Sequence, residues 1–222
     1  AVSPRARSNL NSVVLTLTNN ARVVARNFNL AHNNLTGPGN PPLSSHWSGL
    51  TLATFVVATP ALRITEIMFN PYAPPTGNTN DTENFEFIEL QNTGSTPLNL
   101  AGFRLSGGVD FVFPSIILAP GQRIVVVSNL AAFQSRYGTS AAVAGVYTNH
   151  LNNSGDHLVL QGPLQESILD FRYNDTWILA ADGLGFSLVI HDPSASPASW
   201  DLTESWRPSS AFGGSPGQVD PA

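Results

Sequence analysis

The 222-residue chain contains no cysteine and no lysine. Without thiols it can form no disulfide and no thiolate metal site. All ten of its cationic side chains are arginine, a group that keeps its proton in proteins. Charge of either sign is scarce: 11% of residues are charged, against about 25% in an ordinary globular protein. The polar surface must therefore come mainly from Asn, Thr, Ser and Gln. The formal net charge of -5 argues against a nucleic-acid partner, because neutralising phosphates needs a dense basic face. No run of about 18 apolar residues occurs, so no membrane-spanning helix is expected. No charged stretch leading into an apolar one opens the chain, so any export signal or anchor is expected outside these residues.

What is present reads as β structure. Hydrophobic residues make up 42% of the chain, enough for a substantial core. Val13, Leu15 and Leu17 alternate with Val14, Thr16 and Thr18, the period of a half-buried strand. Asn19-Asn20 reads as a turn, and 22–26 as the return strand of a hairpin over 13–26. Residues 27–46, rich in Pro, Gly and Asn, read as a long polar loop, and 50–57 as a further strand. Pro60 breaks ladder pairing. Beyond it, strands are expected at 62–69, 85–92, 102–106, 109–113, 122–128, 143–148, 157–161, 166–173 and 184–191. Many short strands separated by turn residues indicate a sandwich or barrel. One helix interrupts them. Ser128 or Asn129 can cap it, Leu130, Phe133 and Tyr137 share a face, and Gly138 can stop it. The expected organisation is a partial β module over 1–58, a linker over 59–61, a β-sandwich over 62–207 and an irregular or disordered tail over 208–222.

Several segments carry a resemblance. They are Leu62-Arg63-Ile64-Thr65-Glu66-Ile67-Met68-Phe69-Asn70-Pro71, Phe85-Glu86-Phe87-Ile88-Glu89-Leu90-Gln91-Asn92 and Leu98-Asn99-Leu100-Ala101-Gly102-Phe103-Arg104-Leu105-Ser106. Further along come Phe111-Val112-Phe113-Pro114, Leu118-Ala119-Pro120-Gly121, Asn153-Ser154-Gly155-Asp156-His157-Leu158-Val159-Leu160 and Ala181-Asp182-Gly183-Leu184-Gly185-Phe186-Ser187-Leu188. In order and spacing, residues 62–222 resemble a bacterial lamin tail domain. The resemblance implies an all-β, immunoglobulin-like sandwich with one short helix. It also implies an accessory module in large exported proteins, as the animal counterpart is an interaction module, and it brings no catalytic residues. Residues 13–57 more weakly resemble the end of a chitobiase C-terminal-like or fibronectin-type module.

The candidate sites are few. No His-Glu-x-x-His helix and no phosphate-binding glycine loop is present, and no hydrolase nucleophile elbow is expected. Ser154, Asp156 and His157 sit together at a turn, where Gly155-Asp156 serves the turn itself. Glu86 and Glu89, three apart on a strand, point to opposite faces and cannot flank one glycosidic bond. Glu66 and Glu89 can meet across paired strands, held by an Arg or backbone donors, or else by a shared cation. The loop 78–84 is dense in hard oxygen ligands that suit Ca²⁺, with Asp81 and Glu83 the candidate ligands. Calcium is the one cofactor this would bring. Trp177, Trp200 and Trp206, with Tyr173 nearby, are candidates for stacking on sugar rings; packing in the core is the other role open to them. The resulting expectation is a non-enzyme: an interaction or structural module of an exported multidomain protein, secreted or at the cell surface. Its partners would be other domains of that protein or neighbouring proteins. The alternative is a carbohydrate-binding accessory module beside a hydrolase domain, with polysaccharide as ligand.

Overall fold

A computed structural model describes residues 14–29 and 46–221 of the chain. It contains two compact units, Ala1–Ala58 and Thr59–Ala222.

In the first unit, β1 (Ala21–Ala25) pairs antiparallel with β2 (Thr51–Phe55), Val23 facing Ala53. The hairpin expected over 13–26 is not formed. Val13 lies outside the described residues, and residues 14–17 take no strand, although their alternation is that of one. Asn20 is not a hairpin turn. Its side chain accepts from the N–H of Val57 (2.8 Å) and of Ala58 (3.0 Å) and donates to the Ala58 carbonyl (2.8 Å). It supplies the pairing that a neighbouring strand would otherwise give.

The second unit is a two-sheet sandwich. Its strands are β3 (Leu62–Met68), β4 (Phe87–Asn92), β5 (Leu98–Asn99), β6 (Arg104–Gly107), β7 (Phe111–Val112), β8 (Ile117–Leu118), β9 (Arg123–Val127), β10 (Val143–Val146), β11 (Asp156–Gln161), β12 (Ser167–Tyr173), β13 (Leu188–Ile190) and β14 (Trp206–Pro208). One sheet runs β10-β9-β4-β3-β13-β14 and the other β12-β11-β6-β7, with β5-β8 a small separate pair. Period-2 patterning places Ile88 and Leu90 of β4, Ile124 and Val126 of β9, and Leu158 and Leu160 of β11 in the core between the sheets.

β3 breaks the period usefully. The register shifts between Ile64 and Glu66, so one extra residue enters the strand. Ile64 and Ile67 can then both face the core, while Glu66 comes opposite Glu89 on the outer face. The Ile64 carbonyl lies beyond the last β13 pair and accepts instead from the Trp200 indole (2.9 Å).

The single helix, α1 (Leu130–Tyr137), packs on that outer face. Asn129 caps it, its side chain accepting from the Ala132 N–H, and Gly138 ends it at φ 77°. Phe133 joins Met68, Phe87, Val125 and Val127 in a second, smaller core. The outer face is thus apolar at the helix end. At the other end it carries Glu66, Glu89, Gln91 and Arg123.

Candidate functional site

Two places on the sandwich gather polar side chains. The first is the charged end of the outer face. Glu66 and Glu89 are each about 1% exposed. Arg123 Nε donates to Glu89 Oε1 at 2.9 Å, Thr65 Oγ1 donates to the same oxygen at 2.5 Å, and the Gly217 N–H donates to Oε2 at 2.7 Å. Glu66 accepts from Ser187 Oγ (2.5 Å) and from both the N–H (2.8 Å) and hydroxyl (3.1 Å) of Ser215. Burial raises the Glu66 carboxyl above its ordinary range, against the hydrogen bonds of Ser187 and Ser215. Burial likewise pushes Glu89 up to about 7, with Thr65 and Arg123 pulling the other way. The pair is therefore held by an arginine and backbone donors, the first of the two arrangements its sequence allows.

Those backbone donors belong to the tail. Beyond Pro208 the described residues form no helix or strand, but they are tied to the sandwich by hydrogen bonds. Ser209 exchanges bonds with Ser187, its N–H to the Ser187 carbonyl (3.0 Å) and its hydroxyl accepting from the Ser187 N–H (3.1 Å). The Gly213 N–H reaches the Gly185 carbonyl at 2.6 Å. Arg207 pairs with Asp220, whose carboxylate also accepts from the Ser210 N–H at 3.1 Å. Irregular describes this segment; disordered does not. A cavity of about 340 Å³ lies between Thr65, Glu66, Glu89, Arg123 and His191 on the sheet side and Gln218 to Asp220 on the tail side. Gly213-Gly214-Ser215-Pro216-Gly217 has the Gly-x-Ser-x-Gly spacing of a nucleophile elbow, contrary to the expectation that none occurs. An elbow holds its serine on a strand-to-helix turn beside a histidine base. Ser215 sits in the irregular tail and spends its N–H and its hydroxyl on Glu66.

The second place is an open cleft of about 380 Å³ lined by Ser154, Asp156, Arg172, Asn174, Trp177 and Asp201. Local turn chemistry builds it. The Asp156 carboxylate accepts from the N–H groups of His157 and Asn152, and Asn174 caps the short helix Asp175–Trp177. Asp201 accepts from the Arg172 N–H at 2.8 Å. Trp177 is half-buried against the core and presents the rest of its ring to the cleft. His157 does not join Asp156 and Ser154 in a triad, because its Nε2 lies 2.6 Å from Asp170 across the strand pair.

Of the other tryptophans, Trp200 is fully buried and Trp206 is 3% exposed. This corrects the sugar-stacking candidacy of both: neither reaches the surface. Trp206 donates to the Trp200 carbonyl (2.9 Å) and stacks on Phe171, so both indoles satisfy their N–H inside the core. Asp81 and Glu83 are exposed and flank the start of the short helix Thr82–Phe85. Glu86, which could have joined them, turns inward. Its Oε2 accepts from Tyr147 OH and the Leu151 N–H, both at 3.0 Å. Among the described residues no group of three or more His, Asp or Glu side chains is placed to hold a metal ion. Arg172 and Asp201 of the cleft and Asp220 of the tail carry no sequence signal of their own, and the Gly-x-Ser-x-Gly pattern around Ser215 and Gly217 points to a chemistry they do not perform. Only their meeting in space picks them out.

A family model described as Lamin Tail Domain matches residues 56–175. The chain belongs to the lamin tail domain family. Searches of curated proteins and of solved structures each returned no match. The lamin tail domain is a non-catalytic, immunoglobulin-like interaction module, and the two-sheet sandwich with one short helix is that fold. The matched segment stops after β12, at the short helix that carries Trp177. In this lamin tail domain the sandwich is completed by β13, β14, Trp200, Trp206 and the tail, all of them beyond the match. Among the described residues no helix is long and apolar enough to cross a membrane.

Proposed function

We propose that this chain is a binding and spacing module of a large exported multidomain protein, working at the cell surface or outside the cell. It engages neighbouring domains or proteins and performs no catalysis. The observation that carries this is the state of the first unit. No described residue between 14 and 58 is buried, and Val24, Phe28, Leu50, Leu52, Phe55 and Val57 are all about half exposed. An isolated two-stranded sheet is marginal in water, and contiguous exposed apolar side chains mark interaction surfaces. Hydrogen exchange tests the proposal. Amides of β1 and β2 should exchange fast in the isolated chain and be protected at least about a hundredfold when the flanking sequence of the same reading frame is present. Equal, strong protection in the isolated chain would sink it.

A second reading has its own observation. The cleft around Trp177 joins an aromatic ring to Arg172, Asn174 and Asp201, the mixture of stacking surface and polar groups that binds sugars. Under it the module carries a polysaccharide for a neighbouring hydrolase. A glycan array that finds a ligand for the unaltered chain, lost on Trp177→Ala, would move this reading ahead of the first.

A further inference from the structure

The tail is held by contacts that another chain could equally make. We propose that the outer sheet face over Glu66 and Glu89 is an acceptor site for a Phe-Gly-Gly-Ser-Pro-Gly segment, filled here by residues 212–217 of the same chain and open to that segment from a second copy.

The acceptor reads both main chain and shape. Buried carboxylates of Glu66 and Glu89 accept from the backbone N–H groups of Ser215 and Gly217, and Glu66 also takes the Ser215 hydroxyl. Glycine is required at two points. Gly214 (φ +84°) lies so close to Glu66 and Phe87 that a Cβ would collide with the carboxylate, and a Cβ on Gly217 (φ +82°) would stand 2.9 Å from that of Ala141. At the head of the segment, the Phe212 ring packs 4.5 Å from Tyr72 and 5.9 Å from Phe186, centroid to centroid. Main-chain donors on fixed acceptors, glycine at set positions and one aromatic anchor are the elements of peptide recognition.

Nothing on the segment itself ties it to one chain. The last ladder pair is Leu188 with Pro208, and from Ser209 onward only two main-chain bonds join the tail to the sandwich, Ser209 N–H to the Ser187 carbonyl and Gly213 N–H to the Gly185 carbonyl; the other contacts are side-chain and turn hydrogen bonds and ring packing. Only residues 209–211 separate Pro208 from Phe212; they span about 10 Å when extended, at roughly 3.4 Å each, so a second copy receives the segment only when it lies directly against this end of the sheet. An emptied acceptor would leave Glu66 and Glu89 without the Ser215 and Gly217 donors and would open both carboxylates to water, so the segment re-forms charge-assisted bonds when it returns. The tethered segment wins in dilute solution because its effective concentration is high. Exchange between copies is then a closed, self-complementary association.

Two single variants separate the parts. Gly217→Val spoils the segment and leaves the acceptor intact, whereas Ala141→Leu blocks the acceptor and leaves the segment intact. A labelled peptide spanning residues 208–221 should bind Gly217→Val saturably. It should bind the unaltered chain about tenfold or more weakly, because the resident tail competes, and should not bind Ala141→Leu. By light scattering each variant should be a monomer alone, and the equimolar mixture should form a dimer. No saturable peptide binding to Gly217→Val, with Trp200 fluorescence still that of a buried indole, overturns the acceptor. Peptide binding without a dimer in the mixture overturns the second copy as occupant. Should Gly217→Val fail to fold, Gly214→Ala, whose Cβ would collide with the Glu66 carboxylate, takes its place with the same expected and overturning results.

Discussion

At the scale of single residues, the sandwich is unusual in what it does with carboxylates. Glu86 is fully buried, and one of its oxygens has no hydrogen-bond partner. Burial pushes it up to about 8, against the bonds from Leu151 and Tyr147. With Glu89 at about 7 and an ordinary value near 4.5, the folded state binds protons more tightly than the unfolded chain. Their contribution is complete below about 4.5 and is lost as the pH rises to about 8. Asp220 has the opposite sign. Despite its partial burial, bonds from Arg207 and Ser210 hold it below 3.8, so its contribution is lost as the pH falls through that range. Thermal stability should therefore peak near pH 4.5 and decline toward pH 8, which melting curves across pH will check. Glu86→Gln keeps an acceptor for Tyr147 and Leu151 but cannot ionise. It should flatten that decline and raise the melting temperature by several degrees at the alkaline end. An unchanged pH profile would mean that Glu86 is ionised without penalty.

At the scale of elements, the helix was the most legible feature and the first hairpin the least. Asn129, Phe133, Tyr137 and Gly138 specify a capped, one-sided helix in any context, and the structure forms it over Leu130–Tyr137. Only the choice of Asn129 over Ser128 as cap needed coordinates. Asn129→Ala should cost about 1 kcal/mol, measured by urea unfolding, because it frees one N–H at the helix start. Residues 13–18 show as clean an alternation as any strand in the chain, but alternation records only that a segment could be half-buried. Whether a partner lies alongside depends on residues far away. Here β1 finds β2, some thirty residues on, and residues 14–17 find no ladder. The bulge in β3 was equally hidden, since Ile-Thr-Glu-Ile has neither strand nor helix period until its partner strands fix which two residues face in.

For the whole molecule, the family match and the fold have different extents. Residues 56–175 carry the lamin tail domain match, whereas the core also draws on Ala181, Leu188, Ile190, Trp200 and Trp206. Removing everything after Asp175 would take away two strands of the six-stranded sheet, two core indoles and the cover of Glu66 and Glu89. Such a chain should show no cooperative melting transition by calorimetry. A chain beginning at Thr59 keeps every sandwich contact and should melt within a few degrees of the full one. If the chain cut after Asp175 melts like the full one, the later segment is decoration and Trp200 and Trp206 add nothing to the cooperative core.

The sequence alone determined the class of this protein. Period-2 patterning, turn residues and the ordered motifs from Ile64 to Leu188 specify an all-β lamin tail domain, because each is a local or near-local pattern. Scarce charge and a net charge of -5 set its surface chemistry in the same way. Tertiary structure decided the rest. Three tryptophans look alike in sequence, but burial puts Trp200 and Trp206 in the core and leaves only Trp177 at a cleft. Asp81 and Glu83 look like ligands, but their loop turns Glu86 away from them into the core. A Gly- and Ser-rich tail has the composition of a disordered end, but two carboxylates on a distant sheet face give its backbone N–H groups fixed partners. In each case the deciding quantity is which groups lose access to water and which partners they then meet, and that depends on contacts between residues far apart in the chain.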